Sequence, residues 1–212
     1  MKIETESYPQ SLDNLPKQGQ RIVAHQKDDC LVVYQAYNHQ IADFALKNQC
    51  FGGSHYSYNR MSWIKPNFLW MMYRCGWAQK ENQERVLAIW IRKIDFEHIL
   101  AQAVFSSYKE EHYSSQEEWR GKLNKQEVRL QWDPDHDPYG DKLTRRAIQL
   151  GLKGKTLETF GKDQVLQIED ITSFVAEQRN HVLAKDLYQL QVPVERVYTL
   201  SSEEIRKSVG AD

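Results

Sequence analysis

Cysteine is scarce in this chain. Cys30, Cys50 and Cys75 are odd in number, widely spaced and without a CxxC pair, which argues against a disulfide framework or a cysteine zinc site and points to a reducing cytosol. A charge excess is also missing: 28 Lys and Arg face 29 Asp and Glu, for a net charge of -1. That balance excludes a broadly basic surface holding nucleic acid nonspecifically and leaves room only for a local basic pocket. No apolar run approaches the ~18 residues of a membrane span, and the opening stretch MKIETESYPQSLDNLPKQGQ lacks the apolar core of a signal peptide. A soluble protein with no membrane partner is therefore expected. HExxH, GxSxG, Walker and Rossmann glycine patterns are all missing, so hydrolase, kinase and dehydrogenase readings lack support.

What is present is apolar material for a sizeable core, at 41% hydrophobic and 11% aromatic residues in 212. Residues 1–19, with Pro9, Pro16 and Gly19, read as an arm on the domain, and residues 20–212 as one α+β domain. RIVAHQKDDCLVVYQAY gives two β-rich runs around a Lys27-Asp28-Asp29 turn, and Asn38 is placed to cap the helix that follows. Pro66 and Gly76 bracket a short helix over 66–74 with no polar face. ERVLAIWIRKI reads as a central strand, Asp95 as the cap of the next helix, and Ser115 with Glu118 as a capping box. EVRLQW alternates, with Val128, Leu130 and Trp132 on one side and Arg129, Gln131 and Asp133 on the other. RAIQLGL, QVLQIED, a helix from about Asp170 to Leu187, VERVYTL and a helix capped by Ser201 and Glu204 complete a mixed or antiparallel sheet flanked by helices.

The segment RMSWIKPNFLWMMYRCGW carries the main question, because cations frame an oily helix. Lys65 stands at the helix start, where the macrodipole disfavours a cation by roughly 0.3 to 1 kcal/mol unless an anion is also bound. A phosphate-bearing ligand at that N-terminus, held by Lys65 with Arg60 and Arg74, accounts for the pattern. The bland reading has Lys65 reaching into water and the arginines paired with Glu81 and Glu84. Trp63 and Trp77 flank the helix and are candidates to line a pocket beside it. Gln35 shares a strand face with Val33 and Tyr37, which favours a polar pocket there, while Gln131 fits either a pocket or a solvent face. The acidic turn DPDHDPYGD fails as a calcium loop, since Pro138 stands at the turn-glycine position and Thr144 at that of the bidentate glutamate.

VVYQAYNHQIADFAL, RMSWIKPNFLWMMYRCGWAQKENQERVLAI, VRLQWDPDH, RAIQLGL and VPVERVY together resemble the family called domain of unknown function 4291, from about Arg21 to Tyr198. At the level of fold, a strand ending in a polar residue, then a helix, a loop and a central strand is similar to the start of ADP-ribosyltransferases, where a small split sheet grips NAD. That second resemblance implies NAD as the bound nucleotide. It implies Gln35 as counterpart of a strand histidine or arginine, Tyr58 or Trp63 stacking on nicotinamide, and Glu127 as counterpart of a late catalytic glutamate. The sequence departs from the pattern, because Gln35 is neither His nor Arg and KQEV is not a glutamate-x-glutamate. The expected function is nucleotide binding, with ADP-ribosyl transfer from NAD to a nucleic-acid or protein acceptor as its enzymatic form. A noncatalytic module for nucleotides or RNA and DNA ends is the alternative, and a structural protein docking a partner through its aromatic segment a third.

Overall fold

The computed structural model describes Met1–Asp212 and shows a mixed α+β chain. It opens with a short strand β1 (Thr5–Ser7) and helix α1 (Tyr8–Asn14), followed by the hairpin β2 (Val23–Lys27) and β3 (Cys30–Tyr37). The hairpin turns at Asp28, whose φ of 51° is left-handed. Helix α2 (His39–Asn48) is capped as the sequence predicts, Asn38 Oδ1 accepting the Ile41 amide at 3.0 Å. After a long loop come β4 (Ser62–Ile64), α3 (Phe68–Cys75), β5 (Arg85–Arg92), α4 (Lys93–Ala101), β6 (Ala103–Phe105) and α5 (Gln116–Lys125). The long pair β7 (Val128–His136) and β8 (Lys142–Leu152) follows, then α6 (Gly154–Thr159), a π-helical turn over Phe160–Gln164, β9 (Val165–Asp170), α7 (Thr172–Leu183), β10 (Gln191–Pro193), β11 (Glu195–Val197) and α8 (Glu203–Val209).

The strands form a five-stranded antiparallel sheet in the order β11-β2-β3-β5-β9, a four-stranded sheet β4-β8-β7-β6, and the small pair β1-β10. Only β6 and β7 run parallel. One core fills the space between the two large sheets, joining Leu31, Val33, Leu87 and Ile89 to Val128, Leu130, Ile148 and Leu150. A second core covers the other face of the five-stranded sheet, where Val32, Tyr34, Val86 and Trp90 meet α3, α7 and the N-terminal arm. Burial on both faces explains why CLVVY and RVLAIWI read as unbroken apolar runs. The four-stranded sheet keeps one face polar, and β7 therefore alternates.

Several local expectations shift by a residue or more. The oily helix spans Phe68–Cys75 where 66–74 was expected, and Asn67 is its cap. Asp95 lies inside the first turn of α4, where its carboxylate takes the Arg92 guanidinium at 2.6 Å instead of capping. The box at α5 is split between neighbours: Ser115 accepts the Glu118 amide, while Glu118 accepts the amide and hydroxyl of Ser114. Ser202 caps α8 in place of Ser201, which is drawn away by the Glu97 carboxylate. The arm carries regular structure, with Ile3, Tyr8 and Ser11 buried against the domain. No helix is long and apolar enough to cross a membrane.

Candidate functional site

The two large sheets touch at one bridge. Tyr34 on β3 and Lys65 just beyond β4 exchange backbone hydrogen bonds at 2.7 and 3.2 Å, and the ladder goes no further, so this junction is the split between the sheets. Backbone polar groups alternate sides along a strand, so the Trp63 carbonyl, two residues from Lys65, also faces the split. Two side chains converge on it: Gln35 Nε2 and Lys65 Nζ each reach the Trp63 oxygen at 3.4 Å. Both contacts are long and weak.

On the inner side of the split, Gln35 Nε2 donates to Ser62 Oγ at 2.7 Å, and the Tyr37 hydroxyl lies 2.5 Å from the same oxygen. Gln35 Oε1 and the Tyr56 hydroxyl are buried there without a partner. Burial pushes the Tyr37 phenol up to about 12, so it stays protonated. These groups form a buried polar cluster around Gln35, in which Ser62 and Tyr56 are members that the sequence did not reveal.

Lys65 is 5% exposed and its ammonium has no carboxylate at ion-pair distance. Burial first, and the Arg74 guanidinium second, pull it down to about 7, while Asp133 acts weakly the other way. The bland reading fails in both halves: Lys65 does not reach water, and neither Arg60 nor Arg74 forms an ion pair.

The polar face of the four-stranded sheet extends this region. Gln131 pairs with Gln149 and Asp133 with Ala147 across β7 and β8. The buried Gln149 amide donates to Gln131 Oε1 at 2.7 Å and to Asp133 Oδ2 at 2.8 Å, fixing both side chains. Trp63 lies on the same face opposite Gly151. A Cβ at Gly151 would stand 2.7 Å from Met61 Sδ and 2.9 Å from Trp63 Cε2, so glycine is what lets these side chains lie flat on the sheet.

One expectation is corrected. No ligand anion is needed at the N-terminus of α3, because Glu195 Oε1 accepts the Phe68 amide at 2.7 Å and its other oxygen takes Asn67 Nδ2 at 3.3 Å. Glu195 is fully enclosed, and burial drives its carboxyl well above the usual carboxylate range. The chain itself supplies the acceptor that the free amide at this helix end calls for.

Other expected site residues lie outside the cluster. Tyr58 donates to the Phe51 carbonyl at 2.5 Å beneath Lys162. The Trp77 indole donates to the Pro138 carbonyl at 3.2 Å and packs on Phe68. Arg60 is exposed at the loop end. Glu127 caps α6, accepting the Thr156 amide at 2.7 Å, the Thr156 hydroxyl at 3.0 Å and the Lys155 amide at 3.1 Å. These bonds hold its carboxyl below the usual range, against a desolvation effect that raises it. Asp133 stands six positions along the chain from Glu127, about 20 Å at the rise of a β-strand.

A cleft of about 620 Å³ lies elsewhere, between α4 and the segment after β11. Its buried acid, Glu97, is already satisfied by Tyr198 and Ser201. No group of acids, histidines and cysteines is arranged to hold a metal ion.

The family model described as Domain of unknown function (DUF4291) matches residues 21–198, and the chain belongs to that family. No curated protein matches it.

Proposed function

We propose that this member of the DUF4291 family binds a phosphate-bearing nucleotide at the split between its two large sheets. The observation that carries this reading is Lys65, a buried lysine with no acidic partner, its ammonium on the Trp63 carbonyl and close enough to Arg74 and Asp133 to feel both charges. A buried cation without a partner is costly, and an anion arriving there would remove that cost. Flat stacking surface is available in Trp63, which lies on the sheet beside it.

In its enzymatic form the reading is ADP-ribosyltransferase-like, supported by the two sheets that part at a single bridge after a strand–helix–strand start. NAD would supply the ADP-ribosyl group, its glycosidic bond pair leaving with nicotinamide as an acceptor oxygen or nitrogen forms the new bond. Gln35, with an unpartnered carbonyl oxygen, orients the ligand at the inner end of the split. Asp133, held by Gln149, stabilises positive charge and takes the acceptor's proton. Glu127 serves the fold by capping α6.

That occupation of Glu127 also favours the noncatalytic alternative, a nucleotide or RNA/DNA-end binding module, since no glutamate stands free at the split. Incubation with labelled NAD and protein or nucleic-acid acceptors separates the two. Transfer or NAD hydrolysis that disappears in Asp133→Asn supports the enzyme; saturable nucleotide binding with neither reaction supports the module. Failure of NAD, ADP-ribose and mononucleotides to bind at all removes both.

A further inference from the structure

With the N-terminus of α3 closed by Glu195 and Lys65 answering one anionic group, a nucleotide's sugar and a further phosphate have a second place along β7. β6 ends at Phe105, opposite Leu130, with one further bond from the Ser106 amide to the Leu130 carbonyl at 2.9 Å. Beyond that point β7 continues without a neighbour on this side, and a cleft of about 280 Å³ opens along it. Ser106, Ser107, Lys109, Gln131, Asp133 and Arg146 line this cleft. It therefore shares Gln131 and Asp133 with the polar face described above.

We infer that this cleft is a sugar-phosphate subsite, and the inference rests on the nucleotide reading of the neighbouring split. Neither Lys109 nor Arg146 forms an ion pair with an acid. Arg146 is steadied on the rim by a bond from its Nη2 to the Trp132 carbonyl at 3.1 Å, which leaves the rest of the guanidinium for a ligand. Two cations beside two serine hydroxyls suit a phosphate. Asp133 would repel a bare phosphate, yet it is the group that accepts hydrogen bonds from ribose hydroxyls in nucleotide sites. Its Oδ2 is held by Gln149, and Oδ1 has no partner within the chain. One end of the cleft thus takes a sugar diol and the other a phosphate. The volume is near the lower limit of ligand pockets, about 300 Å³, which fits one phosphorylated ribose and excludes a whole dinucleotide. The ribose phosphate could belong to a free nucleotide or to the end of a nucleic-acid strand; the chemistry recognised is the same.

NMR and calorimetric titrations of the full chain with ribose 5-phosphate, with NAD and with a 5′-phosphorylated oligonucleotide test the assignment. The variants are Lys109→Ala with Arg146→Ala, both at exposed positions, and Lys65→Met. Ribose 5-phosphate is expected to shift the amide signals of Gln131 and Asp133, and the double variant to bind it at least tenfold more weakly with an unchanged melting temperature. Oligonucleotide binding much tighter than that of ribose 5-phosphate assigns the subsite to a strand end; equal binding assigns it to a free nucleotide. Ribose 5-phosphate binding without NAD binding keeps the subsite and removes the NAD reading. NAD binding that Lys65→Met abolishes and the double variant leaves untouched overturns the subsite while the reading of the split stands. If ribose 5-phosphate does not bind the wild-type chain, the subsite is wrong.

Discussion

Glu195 and Phe68 are 127 residues apart in sequence, and the carboxyl oxygen of one accepts the backbone amide of the other at 2.7 Å. The contact ties β11 to the start of α3 and so fixes the position of that helix. Glu195→Ala leaves the buried Phe68 amide and Asn67 side chain unsatisfied and is expected to cost about 1–3 kcal/mol in urea unfolding. Glu195→Gln keeps an acceptor and should cost much less.

The same residue sets a pH dependence. Its folded-state value is raised, so the native chain holds a proton that the unfolded chain has released, and stability falls as pH rises above the ordinary glutamate value of 4.5. Unfolding midpoints measured from pH 4.5 upward should decline more steeply for the wild type than for Glu195→Gln; parallel curves would contradict this.

Lys65 acts in the opposite direction. Its folded value is about 7 against 10.5 for the free side chain, so between those limits the unfolded chain binds more protons and stability climbs with pH. The slope from this one group is at most roughly 1.4 kcal/mol per pH unit. Lys65→Met should remove the climb and be more stable than wild type at pH 6. Thermal unfolding across pH 6 to 9.5 checks both.

Glu127→Ala should cost about 1 kcal/mol through loss of the α6 cap, with the capped form's advantage disappearing as pH falls below the lowered glutamate value. Nucleotide binding should survive Glu127→Gln. A loss of binding in a variant that melts normally would restore Glu127 to the site.

Gly151→Ala places a methyl group into Met61 and Trp63. Overpacking of this kind costs typically 1–3 kcal/mol, and Trp63 should be displaced, which a change in tryptophan fluorescence would report.

The local part of this architecture was legible in the sequence. β3 and β5 announced themselves as apolar runs because both faces are buried, β7 as an alternation because one face is not, and α2 through Asn38 because a cap acts within three residues. The burial of Gln35 and of the oily helix followed from the same local signals. What stayed hidden depends on pairing across the chain. The start of the oily helix was visible, but the side chain that accepts its free Phe68 amide comes from β11. Gln149 was visible only as part of an apolar strand, until register set it beside Gln131 and Asp133. Ser201 read as a helix cap because nothing nearby in sequence discloses that Glu97 captures it.

The most direct test of the account is calorimetric titration of NAD and ADP-ribose into the wild type and Lys65→Met at pH 6.5 and pH 8.5. Saturable binding that is tighter at the lower pH, takes up a proton near pH 8 and is lost in Lys65→Met is the predicted result, since an anion at the split favours the charged lysine. Binding that is indifferent to pH and equal in the two proteins, or no binding to either, would contradict it.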